Sequence, residues 1–178
     1  MNPLWSNIFR KKHDEESLAF FLGSVPVFSE MSARDLSYIE SRVHSRTYDS
    51  NESVFSEGDP GSGIYMIRSG QVKIFSHDTK GREVTYSTLG PGDFFGETTL
   101  AAPAMRSASA RTVEKSVLIG LFRADLLDTV QKHPVVANKI LIGLTRVMSE
   151  RLQAAGDEIR RLEKHNAEML AAEAASRS

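Results

Sequence analysis

The stretch FFGETTLAAPAMRSASA, residues 94–110, carries two charged side chains, Glu97 and Arg106, among Gly, Ala, Thr, Ser, Pro and apolar residues. Gly96 lets the backbone approach another group closely, and the following residues can form a helical turn whose free N–H groups suit an anion. Arg106 adds a fork of donors that matches phosphate oxygens. A carboxylate cannot face a phosphate, so Glu97 would accept a hydrogen bond from a sugar hydroxyl instead. The alternative is that the two side chains form an ion pair with each other.

The elements on either side place this stretch at one end of a β structure. Ser32 is a candidate N-cap for a short amphipathic helix that extends to Val43. Segments rich in β-forming residues follow, with Gly, Pro, Asn and Asp turns between them, and they predict a sandwich, roll or barrel. These segments are RTYDSNESVF (46–55), GIYMIRSGQVKIF (63–75), REVTYSTL (82–89) and SVLIGLF (116–122).

The C-terminal part of the chain is predicted to be helical. ADLLDTVQ (124–131) forms a short helix, and Pro134 opens a long one that extends to about residue 172. From Leu152 onward its apolar residues are spaced alternately by three and four, as in a coiled coil, and the step from Met148 to Leu152 predicts a stutter upstream of it. Because the stripe would be exposed on a lone helix, we expect a homodimer through this helix. The stripe comprises Leu141, Leu144, Met148, Leu152, Ala155, Ile159, Leu162, Asn166 and Met169.

Composition excludes several classes of function. The chain has 178 residues, no cysteine, 22 Lys and Arg against 23 Asp and Glu, and a formal net charge of −1. Disulfides and thiolate chemistry are therefore absent, and no overall basic field attracts nucleic acid or anionic lipid. The five histidines have no metal-ligand spacing, and no run approaches the roughly 18 apolar residues of a membrane span. The N-terminus lacks the order of a secretory signal, so we expect a cytoplasmic protein with no metal and no membrane partner.

Four blocks between Leu18 and Gln153 carry a resemblance to a known family. They are the LxxVPVFSEMS pattern (22–32), SEGDPGSGIYMIRSGQVKIF (56–75), LGPGDFFGE (89–97) and the Arg106-Ser107-Ala108 triplet. In this order they resemble the cyclic nucleotide-binding domain of catabolite activator protein, of the regulatory subunits of cyclic-AMP-dependent protein kinase and of cyclic-nucleotide-gated channels. The sequence departs from the family pattern at Thr98, Thr99 and Met105, and at Asn51, where a turn usually has glycine and where Asn tolerates a left-handed backbone.

The resemblance implies a role for each residue of the opening stretch. Gly96 would offer its backbone to the ligand, Glu97 would hold the ribose 2′-hydroxyl, and Arg106 would pair with the cyclic phosphate. Ser107 and Ala108 would contact the phosphate through their backbone amides. The implied ligand is cAMP or cGMP, with no further cofactor. The candidate ligand-binding residues are therefore Gly96, Glu97, Thr98, Thr99, Arg106, Ser107 and Ala108.

The implied fold is mainly β with α: a double-stranded β-helix, or jelly-roll-like β-roll, with short N-terminal helices and a long C-terminal helix. The predicted division is an N-terminal segment at 1–16, a cyclic nucleotide-binding β-roll with flanking helices at 17–133, and a coiled-coil-like helix at 134–178. The sequence leaves open which base is bound. Arg151, Leu152 and Ala155 are weak candidates for contacts with the purine.

The predicted function is a cyclic nucleotide sensor that signals to an unknown effector protein. An enzyme is not expected, because Glu97 has no catalytic partner in a shared motif. DNA binding is not expected either, because the residues after Gln153 cannot build a winged helix-turn-helix. Two alternatives stay open: a dimerisation module that no longer binds a nucleotide, and a transcriptional regulator whose DNA reader lies on another chain.

Overall fold

The computed structural model describes residues 17–100 and 102–176, the last seven of them by their backbone only. The segment predicted at 1–16 lies outside the described residues. Within them the helices are α1 (Leu18–Ser24), α2 (Ala33–Glu40), α3 (Arg123–Lys132) and α4 (Pro134–Ser176), and a 3-10 turn spans Pro26–Phe28. The three predicted helices are thus present. Ser32 caps α2, and it forms a capping box with Asp35.

The strands of the described residues follow the predicted β segments and add short ones between them. They are β1 (His44–Tyr48), β2 (Ser53–Phe55), β3 (Pro60–Gly61), β4 (Gly63–Ser69), β5 (Val72–His77), β6 (Glu83–Leu89), β7 (Phe94–Phe95), β8 (Ala104–Met105), β9 (Ser109–Thr112) and β10 (Ser116–Phe122). Asn51 has a φ of +64°, which is the left-handed conformation expected from its position in the turn before β2.

Two antiparallel four-stranded sheets pack face to face. The first has the order β1-β10-β4-β7 and the second the order β2-β9-β5-β6, while β3 and β8 form a separate two-stranded ladder. The apolar run of β4 is continuous because alternate residues point to opposite faces of the sheet and both faces are buried. Ile64 and Met66 pack with the helices, whereas Tyr65 and Ile67 pack against the second sheet. The first sheet is therefore covered on both faces.

The first half of α4 lies closely against the turn at Pro26–Phe28. A Cβ added to Gly143 would be 2.0 Å from the carbonyl oxygen of Val27, so a larger residue cannot occupy this position without moving the helix. Glycine weakens a helix interior by about 1 kcal/mol relative to alanine. The close packing of α4 on the turn requires glycine at this position despite its lower helix propensity.

Polar contacts hold the same half of α4 on the N-terminal elements. Lys139 Nζ contacts a carboxylate oxygen of Asp35 in α2 at 2.5 Å. Arg146 donates to the carbonyl oxygen of Pro26 at 2.9 Å and also pairs with Glu30. Helix α4 is thus fixed to the rest of the protein by its first turns.

The opposite side of α4 carries exposed apolar residues. Leu144 packs against the core, whereas Leu141 is 40% exposed and Leu152 is 75% exposed. From Leu152 to Met169 the exposed residues follow alternating steps of three and four, whereas Met148, like Leu144, packs against the core. Leu144 and Met148 thus contact the core, whereas the stripe from Leu152 onward is exposed, and the stutter between these two parts stays a prediction.

Candidate functional site

A cavity of about 390 Å³ opens between the second sheet and the loop that contains the opening stretch. Its volume falls in the usual range for small-molecule sites, roughly 300–1,000 Å³. Sheet residues, loop residues and one residue of α4 line it together. They are Phe55, Ile74, Ser87, Leu89 and Phe95 from the strands, Gly96, Glu97, Thr98, Arg106, Ser107 and Ala108 from the loop, and Arg151 from α4.

Arg106 is the buried cation of this cavity, with only 5% of its surface exposed. Its Nη1 donates to the carbonyl oxygens of Gly63 and Gly96, at 3.0 and 2.9 Å, and to Oγ1 of Thr99 at 2.9 Å. The guanidinium carbon lies 4.1 Å from the centre of the Phe55 ring, which is a cation–π geometry. Packing and hydrogen bonds thus fix the guanidinium in one orientation.

The backbone around Arg106 is held from the opposite side by the β3–β8 ladder. The Arg106 amide donates to the carbonyl oxygen of Asp59, and the Gly58 amide donates to the Arg106 carbonyl, both at 2.9 Å. Gly96 has a φ of +82°, and a Cβ on it would lie 2.5 Å from Nη1 of Arg106. The group that Gly96 lets approach its backbone is therefore the Arg106 side chain.

Arg106 forms no ion-pair contact with a carboxylate of the described residues, although the charges of Glu97 and Asp59 act on it without direct contact. The hydrogen bonds of its guanidinium go to uncharged oxygens, and its Nε is buried without a hydrogen-bond partner among the described residues. Burial lowers the pKa of Arg106, because removal from water disfavours the charged form. An anion that enters the cavity would stabilise a buried cation that has no ion-pair partner.

Glu97 pairs with a residue of α4 rather than with Arg106. Arg151 Nη1 donates to Oε1 of Glu97 at 2.9 Å, and Arg151 Nη2 donates to the carbonyl oxygen of Phe94 at 3.0 Å. The Arg151 guanidinium also lies 4.3 Å from the centre of the Phe94 ring. The alternative of a Glu97–Arg106 ion pair is therefore wrong. Glu97 and Arg106 thus have different hydrogen-bond partners, and both line the cavity.

The structure brings together six of the seven predicted site residues. Gly96, Glu97, Thr98, Arg106, Ser107 and Ala108 line the cavity. Thr99 does not line the cavity. The residue is fully buried, and its hydroxyl oxygen accepts a hydrogen bond from Arg106. Arg151, one of the three weak candidates from α4, lines the cavity, whereas Leu152 and Ala155 do not.

Sequence analysis missed the wall that the second sheet contributes. Ile74 of β5 is paired with Ser87 of β6, and Leu89 lies two residues further along the same strand. The alternation of β6 predicts that Ser87 and Leu89 share one face. Which face borders the cavity depends on how the two sheets pack, and no local pattern encodes that.

An apolar groove lies beside the cavity, between the loop and α4. Its volume is about 340 Å³, and Glu97 borders both spaces. The other residues of the groove are mostly apolar: Leu100, Leu126, Leu141, Leu144, Thr145, Met148, Ser149 and Leu152. Leu141 and Leu152 are among the exposed apolar residues of α4, so the groove joins this exposed surface to the cavity.

Among residues 17–100 and 102–176, no group of three or more His, Cys, Asp or Glu side chains is placed to hold a metal ion. In the same part of the chain, no helix combines the length and apolarity that a membrane span requires.

The chain is similar to proteins that carry a cyclic nucleotide-binding domain. The family model described as the cyclic nucleotide-binding domain matches residues 45–133, half of the chain. The cyclic AMP receptor protein of Thermus thermophilus is 35% identical over 125 residues, which are 70% of this chain and 58% of that protein. The type II regulatory subunit of the cAMP-dependent protein kinase of Drosophila melanogaster is 33% identical over 106 residues, which are 60% of this chain and 27% of the subunit. The chain thus spans less than two thirds of these relatives.

A solved structure supports the fold independently. The crystal structure of a cyclic nucleotide-binding domain from Methylobacillus flagellatus aligns with a TM-score of 0.72 at 24% identity, and the alignment covers 83% of each chain. The predicted fold class, a mainly β jelly-roll-like core with short N-terminal helices and a long C-terminal helix, is confirmed.

Proposed function

The chain belongs to the cyclic nucleotide-binding domain family, and from this premise we propose that it is a sensor that binds cAMP or cGMP in the cavity around Arg106. The observation that carries the proposal is the Arg106 guanidinium, which is 95% buried and has neutral acceptors only. A cyclic phosphate supplies the missing negative charge. Charge-assisted hydrogen bonds to a phosphate are about twice as strong as neutral ones.

Glu97 supports the choice of a nucleotide over a simple anion. It lines the same cavity as Arg106, and its side chain is only 16% exposed. A carboxylate next to a phosphate site repels inorganic anions, but it can accept a hydrogen bond from a ribose hydroxyl. A ligand that carries both a phosphate and a hydroxyl therefore satisfies the two side chains together. In this proposal Gly96, Ser107 and Ala108 contact the sugar phosphate from the loop.

The contact between Glu97 and Arg151 provides a route for the signal. A ribose hydroxyl on Glu97 must share the carboxylate with Arg151 or displace it, and Arg151 belongs to α4. Binding therefore changes the balance of contacts that holds the middle of α4 against the loop. We propose that the phosphate draws the loop inward, that α3 shifts as a hinge, and that α4 moves relative to the β-roll and presents a different surface to an effector protein.

The apolar stripe of α4 supports a homodimer as the signalling unit. Ile159 is 57% exposed, Leu162 54% and Met169 54%, and these residues lie on one heptad seam with Asn166. A buried Asn at one a position favours a parallel two-stranded register. We propose that a second copy of the chain covers this seam, and that its helix also lies along the apolar groove at Leu141.

Calorimetric titration of the chain tests the proposal directly. The ligands are cAMP, cGMP and the linear 5′-monophosphates, which keep the base and phosphate but lack the cyclic ester. We expect at least one cyclic nucleotide to bind and the linear compounds to bind much more weakly. At about a hundred times its dissociation constant the ligand should stabilise the fold by about 2.7 kcal/mol. Absence of binding by both cyclic nucleotides would contradict the sensor proposal and favour a dimerisation module of the same fold.

The third candidate function is a transcriptional regulator whose DNA reader lies on another chain, and it predicts a basic surface on this chain. The formal net charge of −1 argues against retention of duplex DNA by this chain. A mobility-shift assay with random duplex at low salt, with and without cyclic nucleotide, checks this. The cytoplasmic location and the absence of catalysis stay predictions.

A further inference from the structure

The guanidinium of Arg106 is held by the protein at one of its three nitrogens. Among the described residues it donates through Nη1 only, to the carbonyl oxygens of Gly63 and Gly96 and to Oγ1 of Thr99. Its Nε is buried without an acceptor, whereas Nη2 has no acceptor either but is not one of the buried atoms. Because Arg106 lines the cavity, Nη2 is the nitrogen that is open to a ligand there.

Thr99 connects this guanidinium to the loop. Its hydroxyl oxygen accepts from Nη1 at 2.9 Å, and the same hydroxyl donates to the carbonyl oxygen of Gly96 at 3.2 Å. Thr99 is fully buried, so water does not compete for these two bonds. A hydroxyl can accept one hydrogen bond and donate another at once, which an aliphatic side chain at this position cannot do.

Strand β3 fixes the Thr99 side chain from its other side. A Cβ on Gly61 would lie 2.4 Å from Cγ2 and 2.6 Å from Oγ1 of Thr99, so the missing side chain of Gly61 makes room for Thr99. Gly61 pairs with Ala104 in the β3–β8 ladder. The ladder region that holds the backbone of Arg106 therefore also supports its guanidinium, through Thr99.

We propose that Thr99 is a positioning residue, whose hydroxyl holds Nη1 so that Nη2 faces the cavity before a ligand enters and donates to the cyclic phosphate. A donor that is already oriented costs less side-chain entropy when the ligand binds. The inference rests on the proposed function, and it adds a residue that does not line the cavity. It also gives a role to one of the positions at which the sequence departs from the family pattern.

A pair of substitutions at Thr99 separates the hydroxyl from the shape of the side chain. Thr99→Val puts a methyl group where Oγ1 now lies 2.9 Å from Nη1. Carbon contacts are optimal at about 3.5–4.0 Å, so the guanidinium must move by roughly 1 Å. We expect T99V to bind cAMP or cGMP, whichever binds the unmodified protein, about tenfold more weakly by calorimetric titration. Thr99→Ser keeps the hydroxyl, and its affinity should stay within about threefold.

Thr112→Val is the matched control. It removes another buried hydroxyl, which donates to the carbonyl oxygens of Asp49 and Glu52 at 2.6 and 3.1 Å and does not line the cavity. We expect T112V to keep the affinity of the unmodified protein within about twofold. Equal affinities for T99V and the unmodified protein, a loss in T99S as large as in T99V, or an equal loss in T112V would each overturn the inference and leave the sensor proposal intact.

The phosphorothioates of cAMP and cGMP test the orientation of Nη2 itself. Their Rp and Sp forms carry sulfur, a weak acceptor, at one or the other exocyclic position of the phosphate. A donor in one fixed orientation should separate the two forms by about threefold or more in the unmodified protein and in T99S, and T99V should bring their ratio towards one. Equal affinities of both forms for the unmodified protein, or an unchanged ratio in T99V, would contradict the role of Thr99. Absence of binding by every cyclic nucleotide overturns the sensor proposal, and this inference with it.

Discussion

Replacement of Arg106 by methionine separates the two contributions of this side chain. Methionine keeps a long, flexible, apolar side chain next to the Phe55 ring, 4.1 Å from the original guanidinium carbon. The substitution removes a buried charge, whose desolvation costs several kcal/mol. It also removes three hydrogen bonds to neutral oxygens. Because these two effects oppose each other, we expect the free energy of unfolding without ligand to change by no more than about 2 kcal/mol.

The effect on ligand binding has no such compensation. Removing one partner of a buried, hydrogen-bonded charge pair costs about 2–5 kcal/mol, or roughly 30-fold to several thousand-fold in the dissociation constant. At a nucleotide concentration about a hundred times the dissociation constant of the unmodified protein, the stabilisation of about 2.7 kcal/mol should fall below about 1 kcal/mol. For a chain of this size that is a loss of several degrees in the ligand-induced shift of Tm.

Thermal melts with and without nucleotide measure both effects in one experiment. Arg111→Met is the matched control, because Arg111 also stacks on a phenylalanine, at 4.7 Å from the Phe75 ring, but pairs with Glu83 outside the cavity. We expect the control to keep the full ligand-induced shift. Equal shifts for R106M and the unmodified protein would show that the phosphate does not bind at Arg106. Equal losses for R106M and R111M would show that the effect is structural.

Five further substitutions, two of them controls, test the packing of α4 and its proposed dimer seam. Gly143→Ala should lower the free energy of unfolding by about 1–3 kcal/mol, because the new Cβ would lie 2.0 Å from a carbonyl oxygen. Gly156→Ala is the control, since the new Cβ would meet only a flexible side chain at 3.7 Å, and it should raise the free energy of unfolding by about 0.5–1 kcal/mol. Chemical denaturation measures both values. A lysine of α4 and the N-cap serine lower the pKa of Asp35 from 3.8 to about 2. Asp35→Asn should therefore lower the free energy of unfolding above pH 3.8, and the difference from the unmodified protein should shrink as the pH falls towards 2. Thermal melts of both proteins across this pH range test the trend. Leu162→Glu should give a monomer by light scattering, while Lys164→Glu, which lies off the seam, should leave the dimer intact; a dimeric L162E would place the contact elsewhere.

The two charges of the opening stretch show how far sequence reasoning reaches. Their isolation among small and apolar residues marked Glu97 and Arg106 as a pair of interest, and both line one cavity. Spacing alone could not separate a ligand site from an ion pair, because nine residues with a proline bend allow either geometry. The deciding contact is made by Arg151, which is 54 positions after Glu97 on another element. Long-range contacts of this kind depend on how α4 packs, and the local sequence does not encode that packing.

The heptad seam shows a different limit. The sequence pattern correctly marked a long helix with an apolar stripe, but it could not tell which leucine faces the core. Leu144 and Leu141 are both apolar and fit different steps of the repeat, and only the packed helix separates them: Leu144 joins the core, while Leu141 is 40% exposed. Hydrophobicity reports that a residue can be buried, but not against which neighbour.

The contacts of α4 are distributed unevenly, and this decides how ligand binding can reach it. Its first turns are fixed by close packing at Gly143 and by the pairs of Lys139 and Arg146 with the N-terminal elements, none of which line the cavity. The part beyond Leu152 is exposed along one seam. Between them, Arg151 reaches the cavity and pairs with Glu97. A ligand can shift an equilibrium only through contacts that differ between the two states. The Glu97–Arg151 pair is therefore where the binding energy of the nucleotide can act on the helix that carries the proposed dimer seam.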